Sequence, residues 1–144
     1  MGSNWKNFRS TKEYPSPSSL TYDEADDLKA VVQGPGKPAA IVSKKTVAGN
    51  SAVRSMLWGA GREGSGLLVK TAPTLIGGTV RVVGRPRNVR QIVSLLEEAH
   101  AALPDRPTER FHRQMGAALG YHPEAIEDYV ERVRRRQPVP RNRR

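Results

Sequence analysis

Among the residue types of this sequence, arginine gives the clearest indication of chemistry, which is the binding of anions. The 144 residues contain 24 Lys and Arg against 14 Asp and Glu, for a formal net charge of +10. A guanidinium group can form two parallel hydrogen bonds to a phosphate, and a basic surface binds polyanions because their counterions are released. The composition therefore predicts DNA or RNA, or an assembly that contains it, as the partner. The alternative is that these charged side chains only keep the protein surface hydrated and bind no particular partner.

The charge is divided unevenly along the chain. Residues 38–90 contain nine bases and one acid, residues 91–131 contain three bases and eight acids, and residues 132–144 contain seven arginines and no acid. We expect the arginines of the basic middle segment to lie beside those of the C-terminal tail and to contact phosphates together. The predicted contacts are Arg81, Arg85, Arg87, Arg90, Arg134, Arg135, Arg136, Arg141, Arg143 and Arg144.

Residues that could support catalysis are few. The chain has no cysteine, which removes disulfides, thiolate nucleophiles and zinc–cysteine sites. His100, His112 and His122 do not follow a metal-ligand spacing, and none of the familiar nucleophile or zinc-protease motifs occurs. We therefore expect no enzyme activity, no metal site and no cofactor.

A glycine-rich segment, Gly59–Gly64, spells GxGxxG. In dinucleotide-binding folds this pattern follows a strand and opens a helix, so that amides at the helix start meet the pyrophosphate. Here the segment is predicted to follow a helix and precede a strand. We therefore interpret it as a flexible basic loop.

The elements that position these residues are predicted to form an α+β fold. Alternating or short apolar runs predict strands at 39–43, 67–71 and 79–83, the last two joined as a hairpin. Helices are predicted at 23–32 and from Asn50 or Ser51 to about Trp58. The result is a small sheet of about three short strands with one helix, followed by a C-terminal three-helix unit. The expected organisation is a flexible arm (1–22), one domain (23–136, with a strand-rich basic part at 38–84 and three helices at 88–134) and a basic flexible tail (137–144).

The three C-terminal helices carry local start and stop signals. Asn88 followed by Gln91 is a capping-box pattern, and Asp105 is placed to cap the second helix. Gly120 suits the left-handed residue after that helix, and His122 precedes Pro123 at the start of the third. Ile126 falls on the apolar stripe of that third helix, so we expect it to be buried.

Residues His112–Val133 resemble a helix-turn-helix motif, with small Gly116, turn residue Gly120 and aliphatic Ile126 at the motif's spacing. The flanking apolar positions also match: Met115, Leu119, Tyr121 and Tyr129. The resemblance implies that the second helix enters the major groove. Its outward positions here would be His122, Glu124, Glu127, Asp128 and Glu131, and phosphates repel the four acids among them. We favour a helical hairpin that serves folding or protein contact.

The alternative function is a protein-interaction or inhibitor module. Its partner-binding residues would be the acids of the last helix, Glu124, Glu127, Asp128 and Glu131, which suit a basic partner. Small size, flexible arms and the missing catalytic set are also typical of a phage-type adaptor. The lack of cysteine and of a long apolar run predicts a cytoplasmic protein without a membrane partner.

Overall fold

A computed structural model describes residues 23–34 and 36–136. Within them it confirms the α+β class, with six helices and one three-stranded antiparallel sheet. The predicted arm at 1–22 and the tail at 137–144, including Arg141, Arg143 and Arg144, lie outside the described residues. The elements in chain order are α1 (Glu24–Gln33), β1 (Ala39–Ser43), α2 (Lys44–Gly49), α3 (Ser51–Ala60), β2 (Leu68–Pro73), β3 (Thr79–Gly84), α4 (Pro86–Ala101), α5 (Glu109–Ala118) and α6 (Pro123–Arg136).

The sheet has the order β1–β3–β2, so the hairpin strand β3 lies in the centre. The predicted hairpin between β2 and β3 is confirmed, and the amide of Thr74 donates to the carbonyl of Gly78 across its turn at 3.1 Å. Gly77 and Gly78 both adopt positive φ there, a conformation that disfavours residues with a Cβ.

Helices cover both faces of the sheet. Alternation along β3 turns Val82 toward one face and Val83 toward the other, and both side chains are fully buried. Val82 belongs to the larger core cluster, which contains the apolar faces of α4, α5 and α6. Val83 belongs to a smaller cluster with Leu28 of α1 and Leu57 of α3. Ile126 of α6 is 7 % exposed and lies in the larger cluster, as its helical phase predicts.

Helix boundaries differ from the sequence prediction at three places. Helix α2 was not predicted, because the segment KKTVAG has a single large apolar residue, Val47, and no helical period. Helix α4 begins at Pro86, so the predicted cap Asn88 is wrong. The Asn88 side chain instead donates to the carbonyl of Ala118 at 3.0 Å. Helix α5 is capped by Thr108, whose hydroxyl accepts from the amide of Phe111 at 3.0 Å, and not by Asp105.

A buried polar cluster joins the first helix to the last two. Lys37 is 2 % exposed, and its ammonium group donates to the carbonyl of Leu119 and lies 3.8 Å from a carboxylate oxygen of Asp27. The hydroxyl of Tyr121 donates to the other oxygen of Asp27 at 3.0 Å. The same ammonium lies 4.2 Å from the centroid of the Tyr121 ring, which adds a cation–π contact. Helix α1 and the turn between α5 and α6 therefore share one set of charged contacts.

Candidate nucleic-acid interface

The bases of the strand-rich half all lie on the surface. Each of the nine side chains is exposed in the structure: Lys44, Lys45, Arg54, Arg62, Lys70, Arg81, Arg85, Arg87 and Arg90. Eight of these nine bases, all except Arg85, form no ion pair with another described residue. The charge of these eight side chains is therefore not neutralised by a carboxylate of the described residues.

The strands distribute two of these bases to opposite faces of the sheet. Arg81 of β3 pairs with Val42 and Thr71, which places it on the same face as helices α1 and α3. Lys70 of β2 pairs with Val82 and so belongs to the face covered by α4. The basic charge therefore wraps around the sheet and does not form a single flat patch.

Three of the predicted arginines lie together at the start of α4. Arg85 immediately precedes the helix, its amide donates to the carbonyl of Pro38 at 2.8 Å, and Arg87 and Arg90 are exposed within the first turns. The first turn contains no acidic residue. The positive end of the helix dipole adds to these three guanidinium charges, so anions are favoured here.

The arginines at the end of α6 are engaged differently. Arg134 pairs with Glu109 of α5 at 2.9 Å and with Glu131 at 2.7 Å, and Arg135 pairs with Glu131 at 3.2 Å. The hydrogen bond between Arg134 and Glu109 raises the pKa of Arg134 and lowers that of Glu109. Arg136 is exposed at the last described position. Two of these predicted phosphate contacts therefore already have carboxylate partners.

Within the described residues, the arginines at the start of α4 do not lie beside Arg134. The start of α4 adjoins the C-terminal end of α5, because Asn88 donates to the carbonyl of Ala118. Arg134 reaches the N-terminal end of α5, because it pairs with Glu109. Helix α5 has ten residues, which corresponds to about 15 Å. The structure thus separates Arg85, Arg87 and Arg90 from Arg134 by about the length of a helix.

The segment that resembles a helix-turn-helix is a pair of packed helices, α5 and α6. Gly120 in the turn has φ of 84°, and Gly116 of α5 is buried. His122 caps α6 as predicted, since its Nδ1 accepts from the amide of Glu124 at 3.2 Å.

The acids on α6 differ in their contacts. Glu127 accepts two hydrogen bonds from Arg113 of α5, at 2.9 and 3.0 Å, and these bonds lower its pKa. Glu131 pairs with Arg134 and Arg135. Glu124 is exposed and Asp128 half-buried, and neither forms an ion pair with a described residue. Half of the predicted acidic partner surface is thus already bound to arginine, which weakens the case for a basic protein partner.

In the described part of the chain, the histidines belong to no metal-ligand cluster, and the glycine-rich loop does not open a helix. Among residues 23–34 and 36–136, no group of three or more His, Asp or Glu side chains is placed to hold a metal ion. The GxGxxG segment begins inside α3 and is followed by β2, so it has the helix-to-strand order predicted for a loop. Every helix in the described residues is too short or too polar to cross a membrane.

One exposed aromatic residue was missed by the sequence analysis. Trp58 is 68 % exposed, and the Arg62 guanidinium carbon lies 4.7 Å from the centroid of its ring. The exposure of Trp58 could have been predicted from the helical spacing of α3. Trp58 lies four residues after exposed Arg54, whereas the buried stripe of α3 runs through Val53 and Leu57.

Comparison of the chain with protein-family models, with curated proteins and with solved structures finds no match. The case for a function therefore rests on the residues of this chain and on their surroundings.

Proposed function

We propose that this is a non-enzymatic accessory protein that binds nucleic acid, or an assembly that contains it, through the exposed bases of its strand-rich half. The observation that supports the proposal is the contrast in charge pairing. Bases of residues 38–90 are exposed and, Arg85 aside, form no ion pair with a described residue, whereas Arg113, Arg134 and Arg135 have carboxylate partners.

This contrast bears on the energy of binding. A phosphate that meets an exposed, unpaired guanidinium gains a charge-assisted hydrogen bond and releases a counterion. A phosphate that meets Arg134 must first displace Glu109 or Glu131, so less free energy is gained. We therefore assign the main phosphate contacts to Arg81, Arg87 and Arg90, with the arginines of α6 in a lesser role.

The test is a titration of a labelled DNA duplex at several salt concentrations. On duplex DNA the slope of log affinity against log salt reports about 0.9 per neutralised phosphate. The double variant Arg87→Gln with Arg90→Gln is expected to reduce that slope by about 1.8. The matched control, Arg134→Gln with Arg135→Gln, removes the same charge and is expected to reduce it less.

Two results would overturn the proposal. Failure of the unaltered protein to bind duplex or single strands below about 100 µM at low salt removes nucleic acid as the partner, because non-specific binders usually reach that range. Equal slopes for the unaltered protein and for Arg87→Gln with Arg90→Gln would show that the start of α4 makes no phosphate contact.

A further inference from the structure

An exposed aromatic ring on α3 is flanked in the sequence by two arginines. Trp58 is 68 % exposed, which is unusual for a residue whose large apolar ring is normally at least partly covered. Arg54 precedes it by four residues and therefore lies on the same side of the helix. Arg62 follows by four residues, and its guanidinium lies over the indole ring at 4.7 Å.

Each of the two arginines has a defined contact within the structure. One terminal nitrogen of Arg54 donates to the carbonyls of Val47 and Ala48 at 3.0 and 2.8 Å, so this side chain spans the junction of α2 and α3. Arg62 is positioned by its cation–π contact with Trp58. Neither arginine forms an ion pair with a described residue, so both keep their charge available to an anion.

Access to this site is open. The loop from Gly61 to Gly66 is exposed along its whole length, and a Cβ at Gly64 or Gly66 would meet no atom within 4 Å. The residues 38–90 contain one acid, Glu63, against nine bases. A ligand here would have to combine a flat apolar group with negative charge, which is the chemistry of a nucleotide.

We propose that Trp58 is a base-stacking site for single-stranded nucleic acid, with Arg54 and Arg62 contacting the phosphates on either side of the stacked base. The inference rests on the proposed function and specifies its ligand. A single strand is the form selected because its bases are free to leave their neighbours and stack on a protein ring, whereas duplex bases are stacked and paired. Stacking on an aromatic ring tolerates every base, so the site would bind without sequence preference.

The experiment uses the full chain with Trp5→Phe, which leaves Trp58 as the one tryptophan of the two in the sequence. The probes are an oligothymidylate single strand, the same backbone with abasic positions, and a duplex. The oligothymidylate is expected to quench Trp58 fluorescence, whereas the abasic strand quenches it much less. Trp58→Ala is expected to weaken oligothymidylate binding by about 5- to 150-fold more than it weakens binding of the abasic strand.

Two further variants separate stacking from other effects. Trp58→Phe keeps an aromatic ring and should retain most of the affinity for oligothymidylate. Ile76→Ala, which truncates another exposed apolar side chain at the hairpin turn, should leave that affinity unchanged.

The outcomes distinguish this inference from the proposed function. If the protein binds all three probes and Trp58→Ala weakens them equally or not at all, stacking is overturned while nucleic-acid binding stands. If none of the probes binds, both proposals are overturned. Capture of a protein partner that is lost in Trp58→Ala, without oligothymidylate binding, would also overturn the stacking site and assign Trp58 to a protein interface.

Discussion

Gly120 lies against Pro38 so closely that a Cβ on Gly120 would overlap the Cδ atom of the proline ring. Gly120, which the helix-turn-helix resemblance assigns to a tight turn, is therefore also required for packing. It lets the α5–α6 turn approach the segment that leads into β1. Gly84 at the end of β3 also lies against this proline, since a Cβ there would overlap the Pro38 carbonyl oxygen.

Gly120→Ala should destabilise the protein more than the same change at Gly78. The two glycines have nearly equal φ, 84° and 81°, but space around Gly78 is open. Gly78→Ala should therefore cost only the backbone strain, about 1–2 kcal/mol, whereas Gly120→Ala adds overpacking against Pro38 of about 1–3 kcal/mol. Urea denaturation measures both, and equal midpoints would show that Pro38 yields to the new methyl group.

Lys37→Met should lower the free energy of unfolding by about 3–5 kcal/mol, because it leaves Asp27 charged in a buried position. Adding Asp27→Asn should restore part of that loss, since the amide removes the charge and still offers an oxygen to the Tyr121 hydroxyl. The double-mutant cycle gives the coupling between the two residues. If the losses of stability in Lys37→Met alone and Asp27→Asn alone add up to the loss in the double variant, a direct Lys37–Asp27 interaction is contradicted.

Stability should fall as the pH drops below about 6.5, the usual pKa of histidine. Burial lowers the pKa of His112, whose ring lies 5.3 Å from that of Phe111 and 5.4 Å from that of Tyr129, and the nearby Glu109 charge opposes this only in part. The unfolded chain then takes up the proton at a higher pH than the folded chain, so folding is penalised from pH 6.5 down to the lowered value. Thermal unfolding across this range measures the loss, which should be absent from His112→Phe.

A second loss should appear at lower pH and should persist in His112→Phe. Hydrogen bonds from Arg134 and Arg113 lower the pKa values of Glu109 and Glu127 below their usual 4.5. The stabilisation from these carboxylates is therefore complete above pH 4.5 and is lost as the pH falls through the lowered values. A single transition that disappears in His112→Phe would contradict this assignment.

Glu131→Gln should strengthen binding to duplex DNA and increase its salt dependence. The change removes the carboxylate partner of Arg135, which is 75 % exposed, and so frees a guanidinium for phosphate. The expected increase in slope is about 0.9 if one contact forms. Glu124→Gln is the matched control, because it removes the same charge from the same helix where no ion pair with a described residue exists. Equal slopes in the two variants would show that net charge alone matters.

Elements with a clear period or cap could be predicted from the sequence. The strand at 39–43 has the predicted bounds, because a run of small and β-branched residues between a Gly-Pro segment and two lysines has few other conformations. The start of α6 follows from His122 and Pro123, and its buried face from the spacing of Ile126 and Val130. These signals are local, so no knowledge of the rest of the chain is required.

What could not be predicted depends on residues far apart in the chain. Lys37 lies in a Gly- and Pro-rich segment where a lysine is ordinarily exposed. It can be buried because the fold brings the Asp27 carboxylate and the Leu119 carbonyl to its ammonium group. Asn88 carries a capping pattern, but the carbonyl of Ala118, 30 residues later, binds its side chain. Likewise, the sequence does not show which of the arginines at the end of α6 forms an ion pair, because Glu109, the partner of Arg134, lies on another helix.

The hydrogen bond between Asp27 and Tyr121 spans 94 residues, and this separation sets a delay during synthesis. A ribosome that adds 5–20 residues per second needs roughly 5–20 s to make that stretch of chain. During this time α1 and the strands have been released, whereas the hydroxyl group that completes the Asp27 contacts has not yet been made. Helix α1 is therefore made well before the contacts of Asp27 can be completed.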